Sequence, residues 1–566
     1  MPGRGRGRRE RSRGKGAAAG GRRSRSRRRQ DDRFQGSPRH SEEKGGNDDR
    51  GQRPSSRETV EGLLKEELGF RGFRPTIEGE AREAATWAER DSGARRDLTE
   101  LATFTVDPAT ARDFDDAISA QLEGDGARVW IHIADVAAHV KPGSLLDQEA
   151  RRRGNSTYVP GTVEPMLPHA LSSEACSLAP GVERLAVTTE VELGPGMRPR
   201  KARFYRSRIR SDVRLDYDRL DEIFTGRDTA PAEVAEPLAA ARAIAAGLGE
   251  QRGSSSLDVE SFEPEFEFDA EGNVTGAHGV AQTEAHRLIE RLMILNNEQV
   301  AQLLERERVP AIYRVHAQPD AARIEHLLEQ LAALGVPTPP LGQGLSPQEA
   351  GSVAAEASRL VRQEAARRGH GRGAYTSLVL RSLKQAYYSE RNIGHAGLGS
   401  QAYCHFTSPI RRYSDLVCHR ALLALLGEGE DAPTLSQCRD AAADCSARER
   451  ESAQIERGAD DVCAAFLLER ELGERGLDAV FEGEVSGVIR SAAFVSFRGE
   501  LADVYEGMLP ARSLPGEYFQ LDKAEVALVG KQSGARVRLG DPISVRVAGV
   551  DAPRGRAELV PAEESS

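Results

Sequence analysis

The segment Asp107-Pro-Ala-Thr-Ala-Arg-Asp113-Phe-Asp115-Asp116-Ala117 constrains this chain more than any other stretch, because it sets four carboxylates within ten residues. It follows directly on a strand-like run, Ala102-Thr-Phe-Thr-Val106. Taken alone, an Asp-x-Asp-Asp string reads as a solvated acidic turn. Here Phe104, Val106, Phe114, Ala117 and Ile118 surround the acids, so the segment is partly buried. Buried carboxylates repel one another and are costly unless cations neutralise them. Carboxylate oxygens are the hard ligands that magnesium prefers. Two metal ions held by shared acids are a recurring device for cleaving phosphodiesters. The segment therefore predicts a metal site at the end of a strand.

With 566 residues the chain can hold two to four domains. It has neither an apolar run of transmembrane length nor a signal-peptide core, so no membrane association is expected. The six cysteines form no Cys-x-x-Cys pair, which argues against zinc or disulfide frameworks and fits a reducing cytoplasm. The net charge of −10 is unevenly spread: residues 1–30 hold thirteen Lys and Arg against one Glu, a net of +12, leaving −22 for the rest. A polyanion bound by the body would need a local basic channel and metal ions, whereas the tail can attract nucleic acid by itself.

Residues 1–57 have almost no large apolar side chains and read as a disordered basic tail. A transit peptide would need Leu and Phe on one face, so an RNA-attracting or solubilising arm is the better reading. Residues 58–97 read as two short helices, the first capped by Thr59 and the second running from Pro75 to about Arg90. They fit either a small helix-turn-helix or an extension packed on the main body. Residues 98–472 mix strand patterns (129–133 and 185–191) with long helical ones (281–306 and 437–472). Residues 337–347 read as a loop. From 476 to 562 short strands at 479–488, 491–497, 507–510, 536–537 and 542–550 predict an OB-type barrel. Its aromatics Phe494, Phe497, Tyr518 and Phe519 and its basic Arg490, Arg498, Lys531 and Arg538 would serve single-strand binding, with half of the aromatics expected in the core.

A second constellation, His405-Phe-Thr-Ser-Pro-Ile-Arg411-Arg412-Tyr413-Ser-Asp415-Leu-Val-Cys-His419-Arg420, sets two arginines after Ser408-Pro409, read as a helix start. Backbone N–H groups at a helix N-terminus and guanidinium forks both donate to phosphate oxygens. The same arginines could instead pair with acids of the body.

Taken together, the two constellations resemble those of the RNase II/RNase R family of exoribonucleases, whose catalytic domain is called RNB. The resemblance covers roughly residues 98–562. It is carried by the acidic segment, Ile131-His-Ile-Ala-Asp-Val136, Arg153-Gly-Asn-Ser-Thr-Tyr158-Val-Pro160, Met166-Leu-Pro168, Tyr313-Arg-Val-His316, Leu380-Arg-Ser-Leu-Lys384 and the 405–420 block. It implies an α+β chain, with a mixed α/β RNB domain followed by an S-one-type OB barrel. It also implies roles. Asp107, Asp113, Asp115 and Asp116 would hold two magnesium ions, which manganese could replace, with Asp115 and Asp116 nearest the chemistry. Tyr158 would stack on the 3′ base, Arg411 and Arg412 would meet phosphate, and Glu456 would line the RNA channel, with Phe494 and Phe497 as barrel contacts.

The implied activity is hydrolytic, processive 3′→5′ degradation of RNA with a free single-stranded 3′ end to nucleoside 5′-monophosphates, by a cytoplasmic monomer without a small-molecule cofactor. One departure stands out. Family members usually carry two cold-shock OB domains before the RNB domain, and the 106 residues ahead of Asp107, the first 57 of them low-complexity, hold neither. Two rivals remain: an RNA-binding protein on an inactive RNB scaffold, which has no need for the four acids, and a DNA-binding regulator, which the S-one-type barrel disfavours.

Overall fold

Segments between residues 96 and 216 pair into one seven-stranded sheet in the computed structural model, which describes residues 54–90, 94–252, 263–340, 345–429 and 431–562. The strands are β1 (Arg96–Asp97), β2 (Phe104–Asp107), β3 (Asp116–Glu123), β4 (Gly126–Ala134), β7 (Glu183–Leu193), β8 (Pro199–Arg210) and β9 (Val213–Asp216). Their order is β1-β8-β7-β4-β3-β2-β9. The central pairs are antiparallel, whereas β1 and β9 join the two edges in parallel. Strands β3 and β4 close through a two-residue turn that opens with Gly124 at φ 60°, a backbone shape suited to tight hairpins. A separate small hairpin, β5 (Thr157–Val159) with β6 (Thr162–Glu164), lies between the sheet strands in sequence.

The sheet's core includes Phe104, Val129, Ile131, Ile133, Val187 and Val191. Helix Glu284–Arg306 packs into the same core through Leu288, Leu292, Leu295 and Val300, the stripe its periodicity predicts. The stretch read as one or two helices is a single 41-residue helix, Leu435–Arg475, opened by a Thr434/Gln437 capping box. At 1.5 Å per residue it is about 60 Å long. Its first third buries Cys438, Ala441 and Cys445 in the sheet's core, and its later turns bury Ile455, Val462 and Leu467 in the core of the barrel. One rod thus ties the two bodies together.

The barrel is closed by five strands in the order β14 (Val480–Ile489), β15 (Ala492–Phe497), β16 (Tyr505–Pro510), β21 (Arg556–Pro561) and β20 (Pro542–Asp551). One expected strand is misplaced. Residues Arg536–Arg538 form β19, which joins β17 (Phe519–Leu521) and β18 (Ala527–Gly530) in a separate three-stranded sheet. The fifth barrel strand is β21, whose alternating Ala557 and Leu559 point inward. The remaining strands form two antiparallel pairs, β10 (Glu263–Phe268) with β11 (Val274–Val280) and β12 (Tyr313–Val315) with β13 (Tyr387–Ser389).

The first N-terminal helix, α1, spans Ser56–Leu68 and is capped by Ser55 in a capping box with Glu58, four residues ahead of the expected Thr59 cap. Ser56 and Arg57, assigned to the tail from composition, are therefore ordered helix; residues 1–53 lie outside the described residues. The second helix, α2, spans Pro75–Arg90 as expected. The helix-turn-helix alternative does not hold. Val60 and Leu64 of α1 join the barrel-side core, whereas Ile77 and Ala81 of α2 join the sheet's core. Among the described residues, no helix is long and apolar enough to cross a membrane. All six cysteines are buried and free.

Candidate active site

The four acids sit where β2 ends and β3 begins. Asp107 is the last residue of β2, Asp116 the first of β3, and the loop between them carries Asp113 and Asp115. That loop is pinned from several sides. Phe114 N–H donates to Ser177 Oγ at 3.0 Å, and Leu178 N–H donates to Phe114 O at 2.9 Å. Arg214 donates to the carbonyls of Pro108 and Ala109, both at 2.8 Å. The acids are thus placed by backbone anchors rather than by one another.

Asp115 is 3 % exposed. Its Oδ1 accepts from Ile410 N–H at 2.9 Å, and its Oδ2 meets Arg411 Nε at 3.3 Å. Burial pushes its carboxyl up to about 8 despite Arg411. Asp107 is likewise pushed up to about 8, by burial first and then by the charges of Asp116 and Asp115. Asp116 rises to about 6 through burial, with Arg411 and Arg412 pulling it back. Asp107 also buries an Oδ2 that has no hydrogen-bond partner.

An orphaned carboxylate oxygen and acids raised chiefly by burial are what a divalent cation would relieve, so these residues fit a metal. Among the described residues, no three His, Cys, Asp or Glu side chains converge as a finished ligand cage. Magnesium commonly takes only one or two carboxylates and completes its shell with water and substrate phosphate.

The 405–420 block meets the acids, with one correction. The helix begins at Tyr413, not at Ser408-Pro409, and runs to Leu425. Two N–H groups expected to face phosphate are already engaged: Ile410 N–H by Asp115, and Ser408 N–H by Asp415 Oδ1 at 2.8 Å. Arg412 is also committed. Its Nε and Nη2 bind Asp415 at 2.9 and 2.8 Å, so it lines the site as a strut rather than as a free phosphate ligand. The guanidinium left for an anion is that of Arg411, whose side chain is 45 % exposed.

Tyr158 arrives from the other direction. The residues just ahead of it bond to the arginine loop: Ser156 N–H donates to Arg411 O at 3.0 Å, and Tyr413 N–H donates to Gly154 O at 2.8 Å. Tyr158 OH donates to Asp113 Oδ2 at 3.2 Å, and its N–H donates to Glu456 Oε1 at 2.9 Å. Glu456 also accepts from Ser452 Oγ at 3.1 Å, so it steadies Tyr158's backbone while lining the same cavity. This cavity of about 210 Å³ is bordered by Asn155, Tyr158, Tyr388, Arg411, Arg412 and Glu456.

Tyr217 was not singled out from sequence. It stacks on His286 with ring centroids 4.0 Å apart, and burial and the charges of Asp116 and Asp107 push its hydroxyl upward. No sequence pattern marks it; only the fold brings it near the acids, because it follows Asp216, the register partner of Asp107 across β2 and β9.

The barrel aromatics divide. Phe497 is 2 % exposed and packs between Phe481 and Tyr505 at 5.1 and 5.6 Å, so its face is not available to a base. Phe519 is also buried. Phe494 borders a cleft of about 690 Å³ with Arg381 and Arg498, and Tyr518 is exposed with Lys531 Nζ 4.9 Å from its ring centre.

Both the sequence and the fold of this chain resemble those of known proteins. Residues 95–428, more than half of the chain, match the RNB domain family. Ribonuclease R of Vibrio parahaemolyticus is 34 % identical over 478 residues, which is 81 % of this chain and 55 % of that protein. Ribonuclease R of Escherichia coli is 34 % identical over 483 residues, 82 % of this chain and 57 % of that protein. The chain thus spans a little over half the length of these curated relatives. The apo form of Mycoplasma genitalium RNase R superposes with a TM-score of 0.81 at 26 % identity, covering 90 % of this chain and 78 % of that one. The chain belongs to the RNB domain family.

Proposed function

We propose that this chain is a hydrolytic, processive 3′→5′ exoribonuclease that degrades RNA from a free single-stranded 3′ end to nucleoside 5′-monophosphates. The observation that carries the reading is that the acidic loop meets two segments far from it in sequence: Arg411 Nε donates to Asp115, Tyr158 OH donates to Asp113, and Tyr158 and Arg411 border one cavity. The ribonuclease R relatives support it, as do the Mycoplasma genitalium RNase R structures in complex with ribose-methylated single-stranded RNA and with double-stranded RNA.

Asp107, Asp113, Asp115 and Asp116 would hold two magnesium ions, or manganese in their place, which would activate water and offset charge on the phosphate. The chain's own residues supply the rest. Arg411 offers a guanidinium to the scissile phosphate and, being anchored on Asp115, needs little reorganisation as negative charge builds. Tyr158 presents an exposed ring for the terminal base, and a π-face suits every base. Glu456 fixes the backbone that carries that ring. Phe494 and Tyr518 give the barrel stacking faces for upstream nucleotides. The enzyme acts as a cytoplasmic monomer in RNA decay and processing.

A time course on 5′-labelled single-stranded RNA with magnesium, resolved on a sequencing gel, tests the reading. Full-length RNA giving way to a short 5′-labelled limit product with few intermediates is expected, with 5′-monophosphates released and no attack on RNA ending in a 3′-phosphate. Internal fragments from a circular RNA would replace it with an endonuclease.

A further inference from the structure

The hairpin β5–β6 that presents Tyr158 has only three residues in each strand. A two-stranded hairpin of that size is marginal in water, so its orientation must come from what brackets it. The long helix brackets one side, through Glu456 on Tyr158 N–H and Ser452 on Thr157 Oγ1 at 2.9 Å.

The N-terminal segment supplies further contacts, to the end of β6 and to the hairpin's tip. The linker between α1 and α2 turns at Gly72, whose φ of +67° favours glycine. Gly72 N–H donates to Glu164 Oε1, the end of β6, at 2.9 Å, and Gly72 O accepts from Arg153 Nη2. Arg153 is 4 % exposed. It also donates to Glu164 and to Pro165 O, and its guanidinium lies 3.7 Å from the ring centre of Phe73 and 4.5 Å from that of Phe70. At the hairpin's tip, Gly161 turns against Arg57 and Phe268, and the Arg57 guanidinium sits 5.2 Å from the Phe268 ring centre. Arg57 is tied down in turn by its own N–H, which donates to Gly272 O at 3.1 Å.

We infer that residues 55–74 form a strap whose job is to set the angle of the Tyr158 hairpin, with Phe73 and Arg57 as positioning residues at its base and tip. The inference rests on the exoribonuclease reading for what Tyr158 stacks upon. A side chain locked by its supporting shell binds without first paying to be ordered, whereas a loosened shell leaves the ring present but misplaced. The strap's contacts named above fall on the hairpin, its flanking residues and β10, not on the four acids. Loosening it should therefore weaken engagement of the 3′ base and spare the chemical step.

The test uses the full chain carrying Asp115→Asn, so that RNA is bound but not consumed, and a single-stranded RNA ending in 2-aminopurine, whose fluorescence falls on stacking. The Asp115→Asn protein should quench the probe, and adding Phe73→Ala or Arg57→Ala should remove most of the quench while thermal melting stays cooperative. In the Asp115-containing enzyme each strap variant should raise KM roughly tenfold, the scale of one lost base stack, with kcat little changed. Neither variant should add a further loss to Tyr158→Ala, because residues that act through one another are not additive. Phe73→Leu, which keeps an apolar contact, should recover part of the quench.

Full quenching by folded strap variants, or a loss that adds to that of Tyr158→Ala, would overturn the strap alone. Should Phe73→Ala fail to fold, the helix-surface Arg57→Ala decides by the same readings. An unsubstituted strap that neither quenches nor, with Asp115 restored, cleaves would overturn both this inference and the exoribonuclease reading.

Discussion

At the scale of single residues, Asp115 sits at the junction of two motifs nearly 300 positions apart, because its two oxygens take Ile410 N–H and Arg411 Nε. Asp115→Asn keeps an acceptor for Ile410 but turns an amide donor toward Arg411, so both the metal site and the phosphate ligand are disturbed. Turnover of single-stranded RNA should fall below about a tenth of the unsubstituted rate, since metal-site acids are worth several kcal/mol of transition-state stabilisation. Equilibrium RNA binding should fall far less than turnover, because the stacking faces of Tyr158 and the barrel remain; single-turnover cleavage and a binding titration separate the two, and retained turnover would remove Asp115 from the site. The raised acids make a second prediction. The folded-state values of Asp107, Asp115 and Asp116, about 8, 8 and 6, lie above their unfolded ones. Without metal, the stability they govern is therefore fully present at acid pH and is lost as pH rises toward 8. A cation that binds the ionised acids reverses this loss. The rise in Tm on adding saturating magnesium should be larger near pH 8 than near pH 5, and equal rises at both would show that the acids do not hold it.

At the scale of elements, β15 shows how little separates a core aromatic from a binding one. Phe494 and Phe497 are three apart, and a strand's period of two puts them on opposite faces. Their spacing alone therefore allowed at most one of them to meet RNA. Which one was a matter of register: Ala493, Val495 and Phe497 turn into the barrel, leaving Phe494 on the outside. Phe497→Ala should cost about 3–5 kcal/mol of stability, as large aromatic truncations in cores do. Phe494→Ala should leave melting nearly unchanged and weaken single-stranded RNA binding by about 1–3 kcal/mol. Melting curves and RNA titrations on both variants check the assignment, and the reverse pattern would invert the barrel's faces.

Across the whole molecule, one 41-residue helix joins the barrel to the sheet-based body, and the N-terminal helices lie against different cores. The ordered structure begins earlier than composition indicates, and this sharpens the test of the basic tail. Removing residues 1–53 keeps the Ser55 cap and takes away the +12 of residues 1–30. RNA affinity should then fall at low salt, and the slope of log affinity against log salt should flatten, because fewer condensed counterions are released. The rate at saturating RNA should hold. Identical slopes would leave the tail a spacer. Removing residues 1–57 should additionally lower stability by about 1 kcal/mol through the lost cap.

The sequence by itself determined the chemistry's raw materials. Acids crowded between apolar neighbours, alternating strands and helical stripes are local patterns, and local patterns follow from backbone geometry that every chain shares. Hence the place of the acid cluster at a strand end, the long helices and the family resemblance were all legible. Only the tertiary structure decided what each polar group was left free to do. The N–H groups of Ser408 and Ile410 are engaged by Asp415 and Asp115, Arg412 is held by Asp415, Phe497 faces inward, and Arg536–Arg538 yields its barrel place to β21. These outcomes depend on which of several available partners engages a donor, a guanidinium or a strand edge once the chain is folded. Asp415 reaches Ser408 and Arg412 within one motif, but Ile410 meets Asp115 across 295 residues and β21 meets β16 across about fifty, and no local spacing encodes those.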